Sequence, residues 1–181
     1  KFQKHLHDKY IVTIGSSARG IDLPSDDILT DIKVTSIKQP QSSCPFRDAK
    51  QKIFGLGYNL LVFVYDKSDD PTTQTAILNF VSCSFVSKER TADYTTTSIL
   101  NDMKKVEANE DDIVAFLEGI KLPADEITLQ QIAGIILATE IPIGYLTISN
   151  ALQWRLQYKR IVNLTDDVPG VEKIVSYNKP K

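Results

Sequence analysis

Two aspartates and a lysine in the stretch RGIDLPSDDILTDIKVTS, residues 19–36, have the types and spacing that could hold a divalent cation beside an ammonium group. Ile28–Ile37 alternates like a strand, so Leu29, Asp31, Lys33 and Thr35 share one face, with Asp31 and Lys33 roughly 6.7 Å apart along it. Pro24–Asp27 reads as a turn. With Asp26 and Asp27 as its central pair, residue 23 opposes 30 and Asp22 opposes Asp31, their Cβ atoms about 4.5–5.5 Å apart. Carboxylates that close repel unless a cation sits between them. A Mg2+, with oxygen ligands at about 2.0–2.1 Å, fits the gap. Taken alone, Asp-x-Lys on an edge strand is also the pattern of a solvated ion pair.

Positioning these groups requires a strand, a hairpin and a sheet behind them. YIVTIG (Tyr10–Gly15) and Gly20–Leu23 read as short strands before the turn. QPQSSCPF reads as a loop, and Phe46–Phe54 as a helix with Phe46, Ala49 and Ile53 on one face. YNLLVFVYD (Tyr58–Asp66) is an unbroken apolar run, the pattern of a strand buried on both faces. Strand, helix and strand make a right-handed parallel crossover. Lys67–Thr73 reads as a loop and Ala76–Val86 as a further strand. Beyond residue 90 the pattern turns helical: Thr97–Val106, Asp111–Ile120, Ala124–Leu137 and Ser149–Val162, then a last short strand in VEKIVSYN. The expectation is an α/β protein: a mixed central sheet with flanking helices over residues 1–90. A mostly helical half, 91–181, packs on the same domain for DNA contacts or dimerisation.

Asp22, then Asp31-Ile32-Lys33, on strand–turn–strand followed by helix and buried strand, resembles the PD-(D/E)xK nuclease superfamily. Within it, RGIDLPS…TDIKVTS is most similar to the type II restriction endonucleases. The resemblance covers residues 10–66 and implies a restriction-endonuclease-like core. It implies that Asp22, Asp31 and the Ile32 backbone carbonyl hold the metal, and that Lys33 orients and activates the attacking water. Pro24 follows the first aspartate instead of preceding it, and the upstream helix that often adds an acidic residue is short or missing. The implied function is Mg2+-dependent, sequence-specific cleavage of double-stranded DNA by a two-fold homodimer in a bacterial or archaeal cytoplasm. The alternatives are a non-catalytic DNA-binding protein using the helix 149–162, and a DNA repair or junction-resolving nuclease.

The residues expected to touch DNA fall in two groups. Arg19, Gln39, Gln41, Arg47 and Lys50 surround the hairpin and the helix after it. In SNALQWRLQYKRIV, Gln153, Gln157 and Arg160 recur at i, i+4, i+7 beside Arg155 and Lys159. Gln pairs bidentately with adenine and Arg with guanine in the major groove, so this segment reads as a candidate recognition helix.

Composition sets the outer limits. A net charge of −2 over 181 residues gives no global pull toward nucleic acid, so any DNA contact must come from a local patch. Cys44 and Cys83 are too few for a disulfide framework or a zinc site and read as reduced thiols. No apolar run nears the ~20 residues that span a bilayer, and there is no signal-peptide pattern. The chain opens on Lys1 rather than methionine, which points to an upstream segment that has been removed or belongs to another part of the protein.

Overall fold

The computed structural model describes residues 2–15, 20–44, 47–149 and 154–177. A short helix α1 (Phe2–Lys9) precedes the hairpin, and β1 (Thr30–Ser36) follows it. Next come β2 (Gln41–Cys44), α2 (Gln51–Phe54), β3 (Asn59–Asp70) and β4 (Thr75–Val86). A 3-10 turn, Lys88–Arg90, leads to α3 (Tyr94–Lys105), α4 (Glu110–Gly119) and α5 (Glu126–Ala138). The chain finishes with β5 (Thr147–Ile148), β6 (Trp154–Gln157), α6 (Lys159–Val162) and β7 (Val171–Ser176).

Among the described residues, seven strands form two sheets. The four-stranded one runs β1-β3-β4-β7 and is mixed: β1 lies parallel to β3, and the other pairs are antiparallel. The three-stranded one, β2-β6-β5, is antiparallel. Between the sheets lies one core, in which Leu60, Val62 and Val64 meet Trp154, Leu156 and Ile148. A second core joins the helices, built from Ile53, Leu100, Ile113, Leu117, Ile132 and Ile136.

The mixed α/β class and the parallel β1–β3 pair agree with the sequence reading, and several elements differ from it. Residues 10–15 form no strand, and only Leu23 of Gly20–Leu23 pairs, with Thr30. QSSC, expected as loop, is β2, and the expected helix Phe46–Phe54 shrinks to α2. Lys67–Thr73 is largely strand, because β3 and β4 pair out to Asp70 and Thr75. β3 is buried on one face only: Leu60, Val62 and Val64 are buried, while Leu61, Phe63 and Tyr65 are half-buried beneath α1 and solvent. The second half carries α3 to α6 and also supplies β5, β6 and β7.

The largest correction concerns Ser149–Val162, which is not a recognition helix. Its described part is Ser149, β6, the single residue Tyr158 and the one-turn α6. Trp154 and Leu156 are buried while Arg155 and Gln157 are exposed, the period of two that a strand imposes. The apolar spacing of this segment fits a helix as well. Pairing with β2 on one side and β5 on the other decides for the strand.

A buried polar joint fastens the helices to the three-stranded sheet. Asp93 caps α3, its Oδ1 accepting from Thr96 N at 2.8 Å and Thr96 Oγ1 at 2.7 Å. Its Oδ2 accepts from Ile148 N at 2.7 Å, and buried Lys52 donates Nζ to Ile148 O at 2.9 Å. Burial pushes the Lys52 ammonium below its ordinary value, and Asp93 holds it up. Asp93→Ala removes the cap and leaves a buried cation without its counter-charge. The expected cost is about 3 kcal/mol or more in chemical denaturation.

Candidate active site

The turn between Asp22 and Asp31 has the expected register. Leu23 and Thr30 exchange both backbone hydrogen bonds at 2.9 Å, which sets Asp22 beside Asp31. Ser25 O closes the turn by accepting from Ile28 N and Leu29 N, with Leu29 at φ +29°. Ahead of Asp22, Gly15 N donates to Asp22 O at 2.8 Å. A Cβ on Gly15 would fall 2.0 Å from Ile21 O, so only glycine permits that approach.

β1 is an edge strand, and its two sides are used differently. Asp31 and Lys33 lie on the face that β3 turns to the inter-sheet core, and Lys33 Nζ stands 2.7 Å from Asp31 Oδ2. Asp22 approaches from the open edge: its Oδ2 accepts from Ile32 N at 2.9 Å and its Oδ1 from Gln3 Nε2 at 2.5 Å. N–H and C=O of one strand residue point to the same side, as Thr30 shows with Leu23. The Ile32 carbonyl therefore faces the same open edge as the Asp22 carboxylate.

Electrostatically the pair is under tension. Asp31 is buried, with 3% of its surface exposed. Burial pushes its carboxyl above the ordinary value; Asp22 pushes the same way and Lys33 opposes both. The Lys33 ammonium, 2.7 Å from the buried Asp31 Oδ2, offsets part of that burial. Two carboxylates and one outward carbonyl form a hard, all-oxygen donor set, suited to Mg2+ or a similar divalent ion. No group of three or more His, Cys, Asp or Glu that could hold a metal ion occurs among the described residues.

Residues 1–173 match the family described as Type II restriction enzyme NspV. A curated relative, the Type II restriction enzyme NspV of Nostoc sp. (strain ATCC 29411 / PCC 7524), is 49% identical over 178 residues, covering 98% of this chain and 80% of the relative. The chain belongs to the NspV family of type II restriction enzymes. No solved structure matches it. As a type II restriction enzyme it is a site-specific deoxyribonuclease, and its substrate is double-stranded DNA.

The other residues expected to serve this restriction enzyme are scattered more widely. Arg47 is exposed and reaches back to the hairpin: a side chain on Gly20, itself at φ +71°, would begin 3.0 Å from Arg47 Nη2. Lys50 is half-buried in the turn before α2. Gln39 is exposed in the β1–β2 turn, and Gln41 opens β2. Arg155 and Gln157 are exposed on β6, and Lys159 and Arg160 on α6. The Arg160 guanidinium lies 3.5 Å above the Tyr94 ring. Arg19 and Gln153 lie outside the described residues. Among those residues no helix is long and apolar enough to cross a membrane.

Sequence reading missed three neighbours of the site. Gln3 on α1 holds Asp22, a role with no signal beyond an amide in a short polar helix. Cys44 and Tyr58 pack behind Asp31, the thiol 3.9 Å from the phenol oxygen, and burial pushes both groups above their ordinary values.

Proposed function

We propose that this enzyme cuts DNA by the PD-(D/E)xK mechanism, with Asp22, Asp31 and the Ile32 carbonyl holding a Mg2+ and Lys33 beside it. The observation that carries the reading is the buried Asp31 carboxylate, with the Lys33 ammonium at 2.7 Å and Asp22 beside it. When bound, the ion supplies Lewis-acid polarisation of a phosphoryl oxygen and a water that ionises near neutral pH.

Each protein group then has a defined task. Lys33 is anchored through its ion pair, so its ammonium stays at the mouth of the site. There it orients the attacking water and offsets charge growing on the phosphoryl oxygens. Asp22 is fixed at the strand edge by Ile32 N and Gln3, which keeps its carboxylate from turning away. In the reaction an oxygen–phosphorus bond forms from water and one P–O ester bond breaks. The water's proton passes to solvent, and the leaving oxygen takes a proton in turn. Cutting both strands of a symmetric site calls for two such centres, supplied by a two-fold homodimer acting on DNA in the cytoplasm.

Digestion of a sequenced linear DNA tests the reading. Discrete fragments are expected with Mg2+ and none with EDTA. Full cleavage in EDTA would remove the metal, and a smear would favour a repair-type nuclease.

A further inference from the structure

The reading of DNA sequence needs its own surface, and the loss of the recognition helix leaves the residues assigned to it without an element. The structure gathers them again on a sheet. In β2-β6-β5 the inner face carries Cys44, Trp154, Leu156 and Ile148, all buried in the core. Alternation then sends Gln41, Ser43, Arg155, Gln157 and Thr147 to the other face. Registry makes two rows of them: Gln41, Gln157 and Thr147 lie side by side, and Ser43 stands opposite Arg155. Ser43, Arg155, Gln157 and Thr147 are exposed and Gln41 half-buried.

The chemistry of that face is selective. It offers amides, hydroxyls and one guanidinium, with no carboxylate and no apolar side chain. Gln41, Gln157 and Arg155 form no side-chain hydrogen bond or ion pair among the described residues, so their donors and acceptors are available. Cations flank the face: Lys38 and Lys159 line a cavity of about 280 Å3 together with Gln39, Gln41 and Gln157. Asp166 borders the far side, near Thr147 and Arg160.

We propose that the solvent face of β2-β6-β5 is the base-reading surface, laid in the major groove, with Gln41 and Gln157 reading adenine and Arg155 reading guanine. A two-stranded ribbon fits that groove, and β2–β6 is such a ribbon with β5 as a short flank. Amides match the adenine edge and a guanidinium the guanine edge in bidentate fashion. The face is also tied to the cutting strand. Thr35 of β1 donates Oγ1 to Gln41 O and accepts from Gln41 N, both at 3.0 Å. Thr35 is four residues from Asp31, about 13 Å along the strand.

The assignment rests on sequence-specific cleavage as proposed above, and one experiment separates the two. A random-sequence duplex library is digested with Mg2+, and the cut ends are sequenced. Wild-type enzyme should return one consensus. Gln157→Ala and Gln41→Ala should each relax it at an A·T pair, and Arg155→Ala at a G·C pair. Cleavage of the wild-type consensus should fall about 10- to 100-fold for each. Arg155→Lys should behave like Arg155→Ala, since the planar fork is lost while the charge is kept. Lys159→Ala should weaken all sequences evenly and lower the salt slope by about one. An unchanged consensus in the Gln157 and Arg155 variants, or an even loss across all sequences, overturns the proposal. A wild-type digest that stays blank overturns the metal site instead. The same library is then scored by gel-shift selection, with the same expected shifts and the same contrary outcomes.

Discussion

Asp31→Asn is expected to bind DNA, to cut it at less than about one-thousandth of the wild-type rate, and to melt at a higher temperature than wild type in EDTA. The loss follows from removing a carboxylate proposed to hold the ion. The gain follows from burial. Asp31 sits in a site that pushes its pKa upward, so the folded state binds its proton more tightly than the unfolded chain does. Metal-free stability therefore falls as pH rises above the ordinary value of 3.8 and through the raised one, and the full penalty stands above it. Asn is neutral throughout and escapes that penalty. Melting in EDTA across pH should show the variant and wild type alike in acid and apart at neutral pH. With Mg2+ added, wild type should gain stability and the variant should not. A variant less stable than wild type at neutral pH in EDTA would mean that the Lys33 ion pair outweighs desolvation.

Lys33→Ala is expected to be nearly as damaging, by a different route. Cleavage should drop about 100- to 1000-fold, as when one preorganised charge is withdrawn from a developing oxyanion. Lys33 also restrains the rise of the Asp31 pKa, so its removal lets burial and Asp22 push that carboxyl higher. The acid limb of the rate profile should therefore move to higher pH, with more Mg2+ needed at pH 7. DNA affinity should fall only modestly, since one cation is lost from the surface. Rate measured against pH and Mg2+ checks this. A unit drop in rate with no displacement of the acid limb would leave Lys33 acting on the phosphate alone.

The hairpin was legible in the sequence because two rules agree there. The period of two in Ile28–Ile37 fixes a face, and the Pro24–Asp27 turn fixes a register, which Leu23 and Thr30 adopt. The second sheet was hidden for the opposite reason. β2 is only Gln-Ser-Ser-Cys, with no apolar run and the look of a loop, and β6 fits a helical stripe as well as an alternating one. Each becomes a strand only by pairing with the other, more than a hundred residues away, which local pattern does not encode. The outer end of β3 and β4 escaped notice likewise, because polar Lys67–Thr73 is held extended by its own hairpin partner and not by burial. At the site, types and spacing singled out Asp22, Asp31 and Lys33. They carried no hint that Asp22 would enter from the strand edge under the hold of Gln3.

Crystals of the enzyme soaked in Mn2+, a hard divalent stand-in for Mg2+ with anomalous scattering, test the central claim most directly. The account predicts a peak within about 2.3 Å of one oxygen each from Asp22 and Asp31 and of the Ile32 carbonyl. Mn2+ bound elsewhere in an enzyme that still cuts, with Asp22 and Asp31 untouched, would contradict it.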